Sequence, residues 1–180
     1  MEARRRGALR EVLVLAAVLS MQDPRERPQD AQAATDARHA VFADPDSDFS
    51  TLLKVWNAYQ TERAARSRNG LRRWCREQYL SAIRMREWEE LHGQLSTIAA
   101  ELEWPLNATA AGYESLHRSL LAGLLGNIGL KSEPGRGGVG AEGKSRERPE
   151  KGVYDGARGM RFQIAPGTPL RQRGPRWVMA

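Results

Sequence analysis

The 180-residue sequence predicts a mainly α-helical protein that ends in a short β segment. Three observations carry this. Apolar residues recur at spacings of three and four over most of the first 130 positions, the period of helices with one buried face. Beyond Gly129 that period stops, and residues 131–151 hold ten charged residues, five glycines and two prolines, with no aromatic. Short β-prone pieces punctuated by glycine and proline follow.

The elements read in order as follows. Residues 8–20 are apolar nearly all round after Glu11, which predicts a buried helix. Asp23-Pro24 stops it, because a residue before proline avoids the α region, and Arg25-Glu-Arg-Pro28 continues the break. An alanine-rich helix is expected from Asp30 to Phe42. Asp44-Pro-Asp-Ser47 is a turn in which Asp46 or Ser47 can cap the next helix. Phe49, Leu52, Leu53, Trp56 and Tyr59 share one face of that helix, and Ser67-Arg-Asn-Gly70 breaks the chain. A further helical stretch runs from Leu71 towards Trp104-Pro105, with Trp88, Leu91, Leu95, Ile98 and Leu102 as its stripe. Tyr113, Leu116, Leu120, Leu121, Leu124, Leu125 and Ile128 form another apolar face, with Gly129 as its C-terminal stop. Residues 131–151 read as a flexible loop. Val153-Tyr154, Arg161-Phe-Gln-Ile164 and Trp177-Val-Met179 are the strand candidates.

Charge is divided unevenly. Residues 1–130 carry 17 basic and 17 acidic side chains, whereas residues 131–180 carry 11 basic and 5 acidic ones and supply the whole net charge of +6. A neutral front and a basic back suit contact with a polyanion; a solvated, arginine-rich tail has the same composition. The single cysteine, Cys75, excludes an internal disulfide and a cysteine-based metal cluster, and fits a reducing, cytoplasmic compartment. His39, His92 and His117 lie far apart and lack metal-ligand spacing. Basic Met1–Arg6 and apolar Val12–Leu19 resemble the start of a signal peptide. Arg10 and Glu11 abut the apolar run, however, and the run is too short to span a bilayer.

One stretch, Gly138-Val-Gly-Ala-Glu-Gly-Lys-Ser145, spells the phosphate-loop pattern of nucleotide-binding proteins. A working loop needs a buried strand before it and a helix that starts at its Lys-Ser end, so that backbone N–H groups meet the phosphates. The preceding Lys131–Gly137 has no apolar residue, and the following Arg146–Gly152 contains Pro149 and no apolar face. The flanks argue against a nucleotide site and for a chance product of a Gly- and Lys-rich loop.

Two arginine groups are candidates for nucleic-acid contact. Arg63 to Arg76 holds six arginines with Trp74 among them. Arginine interleaved with an aromatic can hold a single strand by phosphate pairing and base stacking. The alternative is a solvated helix with Trp74 in the core and arginines paired to Glu62 and Glu77. In the back segment Arg158, Arg161, Arg171, Arg173 and Arg176 lie beside the strand candidates with few acids nearby. Phe162 and Trp177 there are stacking platforms or core.

Several strings together resemble one family. They are Arg10-Glu-Val-Leu-Val-Leu-Ala-Ala-Val-Leu-Ser-Met-Gln-Asp-Pro-Arg-Glu-Arg-Pro28, Ser47-Asp-Phe-Ser-Thr-Leu-Leu-Lys-Val-Trp-Asn57, Leu71-Arg-Arg-Trp-Cys-Arg-Glu-Gln-Tyr-Leu80 with Arg84-Met-Arg-Glu-Trp88, and Tyr154-Asp-Gly-Ala-Arg-Gly-Met-Arg-Phe-Gln-Ile-Ala-Pro-Gly-Thr-Pro-Leu170 with Trp177-Val-Met-Ala180. In order and over almost the whole chain, they resemble the DEAH-box RNA helicases of the bacterial HrpA type. The resemblance implies a ratchet-like helical bundle, the helicase-associated region, over residues 1–118. It implies a partial, truncated OB-fold over residues 119–180, with 131–151 a loop inside it. In that family these modules line the single-stranded RNA path, while ATP and Mg²⁺ belong to the motor domains.

The sequence carries no DEAH box and no arginine-finger motif, so the resemblance implies an internal piece of a helicase. It would hold no cofactor of its own, span no membrane and be inactive alone as an ATP hydrolase. Single-stranded RNA and the motor domains are the implied partners. Arg158, Arg161 and Arg176 are the first candidates for RNA contact, then Arg72 and Arg73. A small protein-interaction module without nucleic-acid binding is the alternative.

Overall fold

A computed structural model describes residues 2–132, 152–165 and 168–179. Two compact units are present, Met1–Ala122 and Gly123–Ala180. The first is a helical bundle and the second a small antiparallel sheet, so the predicted fold class of helices followed by a partial β segment holds. The loop expected at 131–151, and with it Gly138–Ser145, lies almost wholly outside the described residues.

The bundle comprises α1 (Glu2–Arg5), α2 (Leu9–Leu19), α3 (Gln32–His39), α4 (Asp48–Ala65), α5 (Arg68–Glu77), α6 (Ala82–Glu101) and α7 (Tyr113–Gly123). α2 packs against both α6 and α4, as a helix apolar on most sides must. Leu9, Leu13, Val14, Leu15, Ala17 and Val18 are buried on it. From α6 the fully buried Trp88 donates its indole N–H to the Val14 carbonyl at 2.8 Å. The Trp88 ring also lies 5.0 Å from that of Trp56 on α4, and Trp56 lies 4.9 Å from His92. One residue thus ties three helices together.

Local chemistry sets the helix ends. Of the two expected candidates Ser47 is the cap of α4: its hydroxyl accepts from the Ser50 N–H. It is also 2.6 Å from His117 Nε2 on α7, whose Nδ1 donates to the Tyr113 carbonyl at 2.7 Å. The first turn of α2 is closed by Asn107, which accepts from the Arg10 N–H and donates to Glu11 at 2.9 Å each. Burial alone would push the Glu11 carboxyl up; the hydrogen bonds from Asn107, its own backbone, Ala111 and Arg10 outweigh this and hold it below the usual range.

The structure corrects four expectations. The break near residue 67 is confined to Arg66 and Ser67; Arg68-Asn-Gly70 is the first turn of α5, because the Ser67 hydroxyl accepts from Gly70 N–H. The stretch from Leu71 towards Trp104 is two helices, not one. Tyr79 adopts φ 52° between them, Leu80 N–H bonds back to the Cys75 carbonyl, and buried Leu80 packs into the core. α6 buries Met85, Trp88 and Ala99, with His92 and Leu95 partly buried along the same face, whereas Ile98 and Leu102 of the expected stripe are 50 % and 52 % exposed. Two overlapping stripes share Trp88 and Leu95, and the less apolar one wins because it faces α2 and α4.

The fourth correction concerns Gly129. It stops no helix: α7 ends at Gly123, and Ile128–Lys131 is strand β1. β2 (Val153–Gly156), β3 (Arg161–Gln163) and β4 (Trp177–Met179) complete an antiparallel sheet in the order β3-β2-β1-β4. A Cβ at Gly129 would lie 2.4 Å from the Phe162 ring, which also covers Gly156, the cross-strand partner of Gly129. Glycine is needed here for close approach of a ring rather than for a turn. Tyr154 is fully buried beside Phe162 and donates its hydroxyl to the Pro175 carbonyl at 2.8 Å. A short helix, α8 (Pro169–Arg173), precedes β4. Its signal was present: Thr168 caps it, Pro169 opens it and left-handed Gly174 closes it.

Replacing Trp88 with Phe is expected to cost about 1–2 kcal/mol through the lost hydrogen bond and packing, and Trp88→Ala about 3–5 kcal/mol, as read from urea unfolding. Because the Glu11 pKa is depressed on folding, its contribution is complete above the ordinary carboxylate range and is lost as pH falls through the depressed value. Asn107→Ala should therefore raise the Glu11 pKa by NMR titration and lower stability at neutral pH more than at pH near 3. Gly129→Ala should destabilise the sheet by about 1–3 kcal/mol, and that cost should shrink in a Phe162→Ala background, where the ring no longer occupies the space.

Candidate nucleic-acid interface

The five predicted contact residues fall into two groups. Arg72 and Arg73 are neighbours on the exposed side of α5 in the first unit. Arg158, Arg161 and Arg176 belong to the sheet of the second.

α5 has a sharply divided surface. Trp74 and Cys75 are buried and Leu71 is partly buried, so Trp74 is core and takes no part in base stacking. The Cys75 thiol is pushed up to about 11 by burial, which makes it inert. On the other side Arg68, Arg72, Arg73 and Arg76 are exposed. Of the arginines expected to find acids, Arg63 pairs with Glu89 of α6 at 2.7 Å and Arg66 pairs with Glu62. Among the described residues, no carboxylate lies within ion-pair distance of Arg68, Arg72, Arg73 or Arg76.

The C-terminal end of α5 is held firmly. Glu26 N–H donates to the Tyr79 carbonyl at 2.8 Å, and Ser81 N–H donates to the Pro24 carbonyl at 2.9 Å, around a bridge between Arg25 and Leu80. His39 Nε2 donates to the Gln78 carbonyl at 3.1 Å. Burial holds the His39 pKa below its ordinary value, although the Tyr79 carbonyl, at 3.3 Å from the same nitrogen, and the Gln78 carbonyl favour the charged ring. Arg25 pairs with Asp23 at 2.6 Å and Asp48 at 3.5 Å, and Arg84 donates to the Asp23 carbonyl at 3.1 Å. Burial would raise the Asp23 carboxyl, but Arg25 more than offsets it and keeps it low.

In the second unit the register places Arg161, Asp155, Leu130 and Trp177 in one row across the sheet, on a shared face. Arg161 is ion-paired to Asp155 at 2.9 Å, so part of its charge is already met. Arg158 sits at φ 57° in the turn between β2 and β3 and is exposed. Arg176 is exposed just before β4, and its carbonyl accepts from Lys131 N–H. Of the two aromatics, Phe162 covers the glycines, while Trp177 is 58 % exposed and free to stack. This face presents a cation, an aromatic and an aliphatic side chain, with Arg161 and Trp177 on the two edge strands of the sheet. Among the described residues no helix is long and apolar enough to cross a membrane.

No protein-family model matches the chain. It is 40 % identical over 179 residues, 99 % of its length, to the ATP-dependent RNA helicase HrpA of Escherichia coli. It is 38 % identical over 174 residues, 97 % of its length, to the HrpA homolog of Haemophilus influenzae. A more distant relative, 30 % identical over 122 residues or 68 % of the chain, is the pre-mRNA-splicing factor ATP-dependent RNA helicase prp22 of Schizosaccharomyces pombe. The chain spans 12 % of the length of each of the first two and 10 % of the third. Similarity that runs from end to end of the bundle and the sheet places this chain in the HrpA-type DEAH-box RNA helicase family, as a region of such a protein.

Proposed function

We propose that the chain is an accessory region of an ATP-dependent RNA helicase that lines the path of single-stranded RNA and leaves the ATP step to motor domains elsewhere. The observation that carries this is the match to HrpA over 99 % of the chain, which includes both the bundle and the sheet. On this reading residues 1–118 form the ratchet-like helical region and 119–180 a partial OB-fold. The exposed arginines support it: Arg158 and Arg176 beside the sheet and Arg72 and Arg73 on α5 are available to phosphates. Arg161 contributes less on its own, since displacing Asp155 costs part of what a phosphate contact returns. Trp177 supplies the stacking surface.

The chain holds no cofactor in this reading, and Gly138–Ser145 spells the phosphate-loop pattern without serving as a nucleotide site. ATP hydrolysis by the isolated chain that disappears in Lys144→Ala would overturn that part.

RNA contact is tested by fluorescence anisotropy with an unstructured RNA oligonucleotide. The 180-residue chain should bind it, with log affinity falling linearly against log salt concentration. Alanine at Arg158, Arg161, Arg176, Arg72 and Arg73 together should weaken binding on the order of tenfold or more and flatten the salt slope by about 0.7 per lost phosphate contact. Affinity that persists in the five-alanine variant would sink the assignment.

A further inference from the structure

We infer that the outward face of α5 is a phosphate comb, in which Arg68, Arg72 and Arg76, with Arg73 at its flank, hold consecutive stretches of a single-stranded nucleic-acid backbone without reading its bases. The inference rests on the RNA-path reading above and names the element, the group contacted and the mode of contact.

Arg68, Arg72 and Arg76 stand at i, i+4 and i+8, so each is turned about 40° from the last and rises about 6 Å along the axis. Three guanidinium groups thus form a column on one side of a ten-residue helix. Arginine side chains are long enough to adjust from such a column to the phosphates of a strand running beside it, and their planar forks suit phosphate oxygens.

The pairing pattern sets this helix apart. Elsewhere in the bundle arginines are commonly matched: Arg6 with Glu2, Arg27 with Asp36, Arg63 with Glu89, Arg118 with Glu114. On α5 four exposed arginines lie together, and among the described residues none has a carboxylate within ion-pair distance. The arrangement also works against the helix itself. Like charges at i, i+4 repel, and Arg68 occupies the first turn, where the helix dipole favours an acid and none is present; only Arg76, in the last turn, suits the dipole. Positions that break local rules without a structural return mark function more often than stability.

The backing is rigid. Trp74 and Cys75 anchor the inner side, and the end of the helix is fixed by the backbone hydrogen bonds of Tyr79 and Ser81 to the 24–26 segment. Arginines on such a support lose little freedom beyond their own rotamers on binding.

The face fits a nucleic-acid strand better than an acidic protein surface. Protein interfaces are organised around a buried aromatic or aliphatic anchor. None of the large apolar side chains exposed on the described surface lies between residues 68 and 77. With no aromatic to stack on, the face is suited to the backbone alone, and contact there is independent of base sequence.

The test compares the 180-residue chain with Arg68→Ala/Arg72→Ala/Arg76→Ala and with the same three positions changed to Lys, using unstructured poly-uridine and poly-adenine RNA. Circular dichroism and melting temperature check that each variant is folded. The alanine variant should lose on the order of tenfold or more in affinity, equally for both RNAs, with a salt slope shallower by about 2. The lysine variant keeps the charges and should retain the slope. Arg158→Ala/Arg161→Ala/Arg176→Ala serves as the reference in the other unit. If the chain binds RNA but the α5 alanine variant keeps its affinity and slope, the comb is wrong while the RNA-path reading stands. If the chain does not bind RNA at any salt concentration, both fall. Loss of affinity for an acidic peptide, with RNA binding unchanged, assigns the face to a protein partner and also overturns the comb.

Discussion

The hydrogen bond from the Trp88 indole to the Val14 carbonyl joins the two helices on which the bundle depends. α2 has few polar positions beyond its first turn, so it is stable only when covered, and α4 and α6 cover it. Trp88 provides the largest apolar surface of that cover, yet its N–H must find an acceptor once buried. A carbonyl of α2 is the acceptor, and that fixes the height of α6 along α2. Trp56 then packs against the Trp88 ring, and His92 packs against Trp56, which sets α4.

From that core the path to the candidate interface is short. α5 joins α4 to α6 and packs on both through Trp74 and Cys75. Its orientation is completed by the segment that follows α2, whose backbone at Pro24 and Glu26 pairs with the turn at Tyr79 and Ser81. Tyr79 takes a left-handed conformation that glycine would adopt at less cost. The surrounding bonds and the burial of Leu80 hold it there. The arginines of α5 therefore extend from a helix held along its inner side and at one end.

The second unit solves a different problem. Four strands of three or four residues have little core, and one buried Tyr154 with the Phe162 ring over two glycines provides most of it. That arrangement commits one face of the sheet to packing. The opposite face is left with Arg161, Asp155, Leu130 and Trp177, where cation and aromatic are available to a ligand.

What the sequence by itself determined is local. Helical period, the Ser47 cap, the proline at residue 24 and the strand pieces after residue 152 are written in neighbouring residues, and the main-α class with a β end follows from them. The arginine-rich character of α5 and of the strand region was equally legible. Tertiary structure decided the rest, because the decisive partner was remote in sequence. Gly129 reads as a helix stop until Phe162 is laid over it, and Ile98 reads as core until α2 selects the other stripe of α6. Arg63, Arg161 and Arg72 look alike in the sequence. Glu89 and Asp155 neutralise the first two from another helix and another strand, and Arg72 faces solvent with its charge unmet by any described carboxylate. Whether a charge is spent inside the fold or remains for a partner depends on distances in space, and residue order alone does not contain them.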